Sequence, residues 1–201
     1  MKFGIIVGSM QNDSGSAKVG RYCAEQLQAN GHSSYTLDLG ANPLPMWDNS
    51  IWKGDEDWKA TLGPISDELE SCEGFVVISP EYNGMVPAAL KNFFLCFGNK
   101  VLGHKPAHIV AVSAGIGGSY PIAELRMRSY KNCRICFTPE HTIVRHVGSV
   151  LNTGGKNDTE QQQRTVERLD YGLDVLAEYT KGLAGVRASG VIDHERFGNG
   201  M

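Results

Sequence analysis

Apolar and polar residues follow one another along the chain in segments that predict strands and helices in regular alternation. Three short runs are almost continuously apolar, as in strands buried on both faces: Phe3–Val7, Phe75–Ile78 and His108–Val112. Residues Ser34–Leu39 instead alternate polar and apolar side chains, which indicates a strand with one less buried face and suits the edge of a sheet. A last strand is predicted within Ile135–Val144, broken around Pro139.

A helical segment follows each predicted strand. The five segments are Ala17–Ala29, Trp58–Ser71 with an interruption near Gly63 and Pro64, Pro87–Phe97, Ile122–Tyr130 and Thr159–Leu183. Strands that alternate with helices in this way require a parallel sheet covered by helices on both faces. We therefore expect a three-layer α/β sandwich with strand order 2-1-3-4-5. It forms one domain over residues 1–184, and residues 185–201 form a polar, partly disordered tail.

Composition excludes several classes of function. Hydrophobic residues make up 41% of the 201 residues, and the formal net charge of −3 is unlike that of a nucleic-acid-binding protein. No run approaches the ~20 apolar residues of a membrane helix, and the apolar run near Met1 is shorter than the core of a signal peptide. Five cysteines, an odd number, argue against a disulfide framework. We expect a cytoplasmic protein with reduced thiols and no membrane or nucleic-acid partner.

Three unusual loops follow the first, third and fourth predicted strands. In an open parallel sheet, ligands bind beyond the carboxyl ends of the strands, where the winding direction reverses, so these loops should meet. The first, Gly8–Ser16, is rich in hydroxyl and amide groups and leads into a helix, whose amide groups and dipole favour a phosphate. Helix capping by Ser14 or Ser16 explains the serines equally well.

The other two loops suit a flat ring. Pro80–Gly84 ends in a glycine that permits a positive φ, and it brings main-chain amides and Tyr82 to the sheet edge. Ser113–Ser119 contains three glycines, which let the backbone approach the edge of a heterocycle closely. Its glycine spacing and its position after the fourth strand differ from those of a dinucleotide fingerprint.

Together these loops resemble the NAD(P)H-dependent FMN reductase family of flavodoxin-like proteins, whose members act on quinones, chromate and azo compounds. The resemblance covers about residues 3 to 150. Its most specific element is P-E-Y-N-G, matched in full by Pro80–Gly84. The other matches are Gly8, Ser9 and Ser14 in the family pattern G-S-x-R-x-x-S-x-N, the Leu-Pro-aromatic segment Leu44–Trp47, the helix segment Ala89–Asn92, and the S-x-G-x-x-G-G loop Ser113–Gly118.

Three positions depart from the family pattern. Gln11 replaces the family arginine, Ser16 replaces an asparagine, and Met85 stands where serine or threonine is usual. Arginine binds phosphate with two charge-assisted hydrogen bonds, whereas glutamine offers only neutral ones. The sequence therefore leaves the strength of FMN binding open, but not the fold.

The resemblance implies an FMN-dependent oxidoreductase that takes electrons from NADPH or NADH and passes them to a small acceptor. It places the FMN phosphate among Ser9, Gln11, Ser14 and Ser16, the isoalloxazine ring against Pro80, Glu81, Tyr82 and Asn83, and the ring's polar edge against Ser113, Gly115, Gly117 and Gly118. The flavin carries the chemistry, so no catalytic residue is assigned. The resemblance also implies a homodimer or homotetramer, to which the apolar helix segment Phe93–Leu95 contributes a contact face if it is not core.

Several alternatives remain open from sequence alone. An electron carrier, or a binding or signalling module with weakened flavin affinity, would share this fold. Cys133 and Cys136 have C-x-x-C spacing, but they lead into an apolar strand and are interpreted as buried thiols, not as a redox pair. No set of zinc ligands is predicted. Trp47 is left open between packing and contact with a substrate.

Overall fold

The computed structural model describes residues 1–200. Its centre is a five-stranded, entirely parallel sheet in the order β2-β1-β3-β4-β5, which confirms the predicted topology. The strands are β1 (Lys2–Val7), β2 (Ser33–Asp38), β3 (Gly74–Pro80), β4 (Pro106–Val112) and β5 (Cys136–Val144). β3 and β4 are buried along their whole length, as continuous apolar runs require, whereas the edge strands β2 and β5 are only partly buried.

Six helices cover the two faces of this sheet. They are α1 (Gly15–Ala29), α2 (Glu56–Glu70), α3 (Ala88–Cys96), α4 (Asn99–Leu102), α5 (Ser119–Met127) and α6 (Thr159–Ala188). α1 and α6 pack on one face around one apolar cluster, and α2 to α5 pack on the other around a second. Within residues 1–200, no helix is both long and apolar enough to cross a membrane.

The sequence predicted a break in a helix near Pro64 and a break in a strand near Pro139, and neither element ends there. α2 continues through Pro64, which is exposed, as is Ala60 four residues earlier, so water can satisfy the carbonyl that Pro64 leaves without a donor. β5 also continues through Pro139, because β5 is an edge strand and its register with β4 shifts there between Ala107 and Ile109. An edge and a bulge are the places where a sheet accepts proline.

The carboxyl-terminal helix is longer than predicted. α6 runs to Ala188, past the predicted domain limit at residue 184, and the segment that follows folds back on the loop before β5. There the Gly200 N–H donates to Asn132 Oδ1 at 3.2 Å, and Arg134 bonds to the Phe197 carbonyl. The first four residues of the predicted tail are therefore helix.

β4 carries a histidine that sits between the sheet and α6. His108 is fully buried, and its Nε2 lies 3.0 Å from Thr142 Oγ1 on β5. The Thr142 hydroxyl donates to the Arg168 carbonyl, so its oxygen accepts from His108 Nε2–H, and the neutral Nδ1 lacks a protein partner. Gly172 of α6 passes directly over this ring: a Cβ added there would lie 2.4 Å from His108 Nε2. The glycine is what lets α6 approach the sheet.

This contact predicts a large difference between two glycines of the same helix. Gly172→Ala should lower the free energy of unfolding by about 2 kcal/mol, because the buried imidazole has no room to move. Gly182→Ala should raise it by roughly 0.5 to 1 kcal/mol, since a Cβ at Gly182 meets nothing within 4 Å and alanine favours helix. Urea denaturation of both variants measures the difference; equal stabilities would show that α6 shifts to accommodate the methyl group.

Candidate functional site

Two hydrogen bonds join the three predicted loops at the carboxyl edge of the sheet. The hydroxyl of Ser9, after β1, lies 2.8 Å from that of Tyr82, after β3. A Glu81 carboxylate oxygen accepts from the Gly118 N–H, after β4, at 2.5 Å. The site residues suggested by the resemblance therefore occupy one continuous surface, although their contacts with a ligand stay a prediction.

The first loop forms the start of α1. Ser14 caps the helix, with its Oγ accepting from the Ala17 N–H at 3.1 Å, and Ser9 Oγ accepts from the Gln11 N–H at 3.1 Å. Capping by Ser14, one of the two alternatives, is thus observed. The first amide groups of a helix have no acceptor inside it, which leaves those of Gly15 and Ser16 at this end for an anion. Ser9 and Ser16 are buried here, whereas Gln11 is exposed.

The two cationic side chains on the first turns of α1 are held by other groups. Arg21 pairs at 3.2 Å with Asp13, a residue of this loop. Lys18 Nζ donates to the carbonyls of Val147 and Val150 and to Asn152 Oδ1, each at 2.6 Å, and burial lowers its pKa. Phosphate binding at this loop would therefore rest on amide and hydroxyl donors.

The second loop is a tight hairpin turn. Tyr82 and Met85 exchange two main-chain hydrogen bonds of 3.0 and 3.1 Å across the turn. Asn83 and Gly84 between them have φ of 51° and 73°, the combination of a type I′ turn, for which Asn-Gly is the preferred pair. This turn fixes Tyr82 beside Ser9. The Glu81 side chain is engaged with the third loop and its N–H donates to the Val112 carbonyl, so only the Glu81 carbonyl is left for a ligand.

The third loop is held by a residue that sequence reasoning missed. Arg145, directly after β5, donates its Nε–H to the carbonyls of Ile116 at 2.7 Å and Gly117 at 3.2 Å. The neighbouring His146 N–H donates to the Gly115 carbonyl at 2.9 Å. The only sign of this role in the sequence is the position of the arginine, directly after the last predicted strand. These bonds fix the loop's carbonyls in place.

The segment with the Leu-Pro-aromatic motif is held by Asn92 of α3. The buried Asn92 amide accepts from the Trp47 N–H at 2.8 Å and donates to the Pro45 carbonyl at 2.8 Å. The Trp47 ring packs edge-on against Trp52, with centroids 4.8 Å apart, and its buried indole N–H has no protein partner. Packing thus explains the position of the Trp47 ring, and the indole N–H is left without a hydrogen-bond partner in the protein.

The cysteine pair shows no feature of a redox dithiol. Cys133 is buried and donates to the Ser129 carbonyl, and burial raises the pKa of its thiol to about 11. Burial also raises the pKa of the Cys136 thiol. Both residues lie before or at the start of β5, the opposite end of the strand from the joined loops. All five cysteines are unpaired, and no group of three or more His, Cys, Asp or Glu side chains among residues 1–200 is placed to bind a metal.

A parallel sheet of this order, with a phosphate-suited loop after β1 and joined loops after β3 and β4, defines a flavin-binding α/β protein of the flavodoxin type. Comparison with known proteins gives the family. The family model of NADPH-dependent FMN reductases matches residues 1–147, and the chain belongs to this family.

Individual relatives agree with this assignment. A 2-hydroxy-1,4-benzoquinone reductase from a Burkholderia species is 25% identical over 174 residues, which cover 83% of this chain and 91% of that protein. An FMN-dependent NADPH-azoreductase from Staphylococcus aureus is 26% identical over 128 residues, or 63% and 68% of the two chains. The solved structure of FerB, a flavoenzyme NAD(P)H:(acceptor) oxidoreductase from Paracoccus denitrificans, has the same fold, with a TM-score of 0.69, 21% identity and coverage of 90% and 97%.

The residues at the joined loops fit FMN. The amides of Gly15 and Ser16 at the start of α1 suit a phosphate, and the loop after β2 contacts the phosphate loop at Gly40. The protein is an FMN-dependent NAD(P)H oxidoreductase, as the sequence predicted. No support exists for the electron carrier or signalling alternatives.

Proposed function

We propose that this protein is a quinone reductase that transfers two electrons from a reduced nicotinamide cofactor, through FMN, to a quinone. The observation that carries this proposal is the joining of Ser9 to Tyr82 and of Glu81 to Gly118, which brings the three loops together at the carboxyl edge of the sheet. When bound, FMN supplies the two-electron chemistry that side chains lack.

The chain's own residues would bind and orient the cofactor. The phosphate would be held by the amides of Gly15 and Ser16 with Ser9, Gln11 and Ser14. The ring would lie against Pro80–Asn83, and those main-chain groups of Ser113–Gly118 that are not bonded within the protein, such as the Ile116 and Gly117 amides, would contact its polar edge. Because Arg145 and Glu81 hold the third loop from two sides, its backbone is fixed before the cofactor arrives.

An exposed apolar rim favours a flat hydrophobic acceptor over an inorganic anion. Ile116 is 78% exposed and Tyr120 is 71% exposed, and the exposed Met85 lies at the end of the hairpin turn. Tyr120 stands beside this turn, since a Cβ at Gly84 would lie 3.9 Å from its ring. Exposed aromatic and apolar side chains around a polar site are typical of surfaces that receive a ligand.

Steady-state kinetics test the acceptor class. With FMN-loaded protein and NADPH, a benzoquinone should be reduced with a higher kcat/KM than chromate, and Ile116→Ser should lower the value for the quinone without changing the affinity for FMN. The matched control is Val191→Ser, another exposed apolar side chain, in the carboxyl-terminal segment. Chromate reduction that exceeds quinone reduction would refute the proposed acceptor.

Replacing Gln11 with arginine should tighten FMN binding by about tenfold or more. Gln11 is exposed at the phosphate loop, and the nearby cations Lys18 and Arg21 are held elsewhere, so a guanidinium there adds a charge-assisted contact worth roughly 1.5 to 3 kcal/mol. Turnover at saturating FMN should stay the same, because contacts with the phosphate contribute uniform binding. Fluorescence titration of wild type and Gln11→Arg measures the change; equal affinities would mean that the phosphate is already neutralised.

We further propose that the protein is a cytoplasmic homodimer or homotetramer. The three residues of the predicted contact segment differ in exposure: Phe93 lies in the core, Phe94 is half-buried and Leu95 is 59% exposed. Met127 and Tyr130 of the neighbouring α5 region are also exposed. Light scattering should give a mass of at least twice 21.9 kDa at micromolar concentration, and Leu95→Lys should lower it. A monomeric wild type would contradict this assembly.

A further inference from the structure

A groove borders the joined loops on the β5 side of the sheet. It has a volume of about 540 Å³, within the range of small-molecule sites, and lies between the end of β5 and the first half of α6. We call it the β5–α6 groove. Its basic and amide side chains are Arg145 and His146 after β5 and Gln161, Arg164 and Arg168 of α6. Because helix residues three, four and seven apart share one face, the three α6 side chains form a row.

Cationic side chains outnumber carboxylates along this groove. Three arginines line it, against the carboxylates of Asp158 and Glu160. Asp158 is engaged as the cap of α6, accepting from the Gln161 N–H at 2.8 Å. Glu160 and Arg164 pair with each other, and both side chains are 75% exposed. An exposed pair of this kind is weak, so a phosphate dianion can replace Glu160 on Arg164. Arg168 pairs at 3.6 Å with Glu140 on β5. Among residues 1–200, Arg145 forms no ion pair with a carboxylate.

Arg145 connects this groove directly to the flavin site. Its Nε–H contacts the carbonyls of Ile116 and Gly117 in the third loop, and its own carbonyl accepts from Gln161 Nε2 at 2.5 Å. A coenzyme whose nicotinamide lies over the isoalloxazine must place its adenosine portion on a neighbouring surface. The β5–α6 groove is such a surface and begins at the loop itself.

Building on the proposed function, we infer that the β5–α6 groove binds the adenosine 2′-phosphate of NADPH, with Arg145 and Arg164 as its ligands. A phosphate monoester is a dianion with three acceptor oxygens, and guanidinium groups bind it with paired hydrogen bonds. Arginine beside a dinucleotide site is the usual means of accepting the 2′-phosphate. The groove thereby gives the protein a preference for NADPH over NADH.

Binding of 2′,5′-ADP tests this inference without any turnover. Calorimetric titration of FMN-loaded wild type should detect 2′,5′-ADP, and both Arg145→Gln and Arg164→Gln should weaken its binding by about tenfold or more. Arg164→Gln, which does not touch the third loop, should also raise the KM for NADPH by a larger factor than the KM for NADH. Arg196→Gln, which removes the same charge from the carboxyl-terminal segment, should leave 2′,5′-ADP binding as in wild type.

Three results would overturn the inference. The first is a wild type that does not bind 2′,5′-ADP, and the second is binding of ADP as strong as that of 2′,5′-ADP. The third is loss of both FMN and 2′,5′-ADP in Arg145→Gln while Arg164→Gln retains both, which would make Arg145 only an anchor of the third loop. A protein that binds 2′,5′-ADP as described yet reduces no quinone would refute the proposed acceptor and leave the groove intact.

Discussion

Gly40→Ala should weaken FMN binding by about a hundredfold, with the fold retained. Gly40 follows β2, and a Cβ there would lie 2.3 Å from the Gln11 carbonyl oxygen and 3.2 Å from that of Ser9. Both atoms belong to the backbone of the phosphate loop, so the methyl group cannot be accommodated by turning a side chain. The loop must move, and loss of one or two hydrogen bonds to a charged phosphate accounts for the expected change.

A second glycine-to-alanine variant tests whether the loss of FMN binding is specific to position 40. Gly98, before α4, has φ of −96°, and a Cβ there meets nothing within 4 Å. Gly98→Ala should therefore bind FMN like wild type, and fluorescence titration of both variants measures the comparison. If Gly40→Ala binds FMN with wild-type affinity, the loop Gly8–Ser16 does not hold the phosphate.

Acid should destabilise this protein by about 3 kcal/mol through His108 alone. Burial lowers the pKa of His108 from 6.5 to about 4, because its ring lies among apolar groups and under α6. Between pH 6.5 and 4 the unfolded chain therefore binds a proton that the folded protein does not. The free energy of unfolding falls by up to 1.36 kcal/mol per pH unit in this window and levels off below pH 4.

Substituting His108 shows how much of the pH dependence of the free energy of unfolding comes from this histidine. His108→Gln removes the titrating group, and the pH dependence of urea denaturation between pH 6.5 and 4 should become shallower by about 3 kcal/mol in total. The exposed variant His146→Asn keeps His108 and should retain the wild-type slope. Burial also lowers the pKa of His141, so some acid sensitivity should remain in His108→Gln. An unchanged slope would mean that His108 is protonated within the fold without cost.

The sheet was predictable because its signal is local and repeated. Continuous apolar runs such as Phe75–Ile78 mark buried strands, and the alternation in Ser34–Leu39 marks the edge strand β2. The alternation of strands with helices then leaves few possible topologies for the sheet. The breaks predicted at Pro64 and Pro139 are wrong because the cost of proline depends on exposure and on position in the sheet, which are set by the three-dimensional structure.

The site was only partly predictable, for a different physical reason. The Asn83-Gly84 turn and the helix-capping Ser14 carry their own local geometry, so sequence indicated them. Asn92 and Arg145 hold loops 45 to 47 residues and 28 to 29 residues away in the chain, respectively. Such contacts depend on the packing of distant segments, and no local pattern marks the residues that make them.

The central claim is that the joined loops hold an FMN that a reduced nicotinamide cofactor can reach. Anaerobic addition of one equivalent of NADPH to the FMN-loaded protein tests it most directly, with the absorbance of oxidised flavin as the readout. This absorbance should be lost, and it should return when a benzoquinone is added. A protein that binds FMN stoichiometrically, yet keeps its oxidised-flavin absorbance in the presence of NADPH or NADH, would contradict the claim.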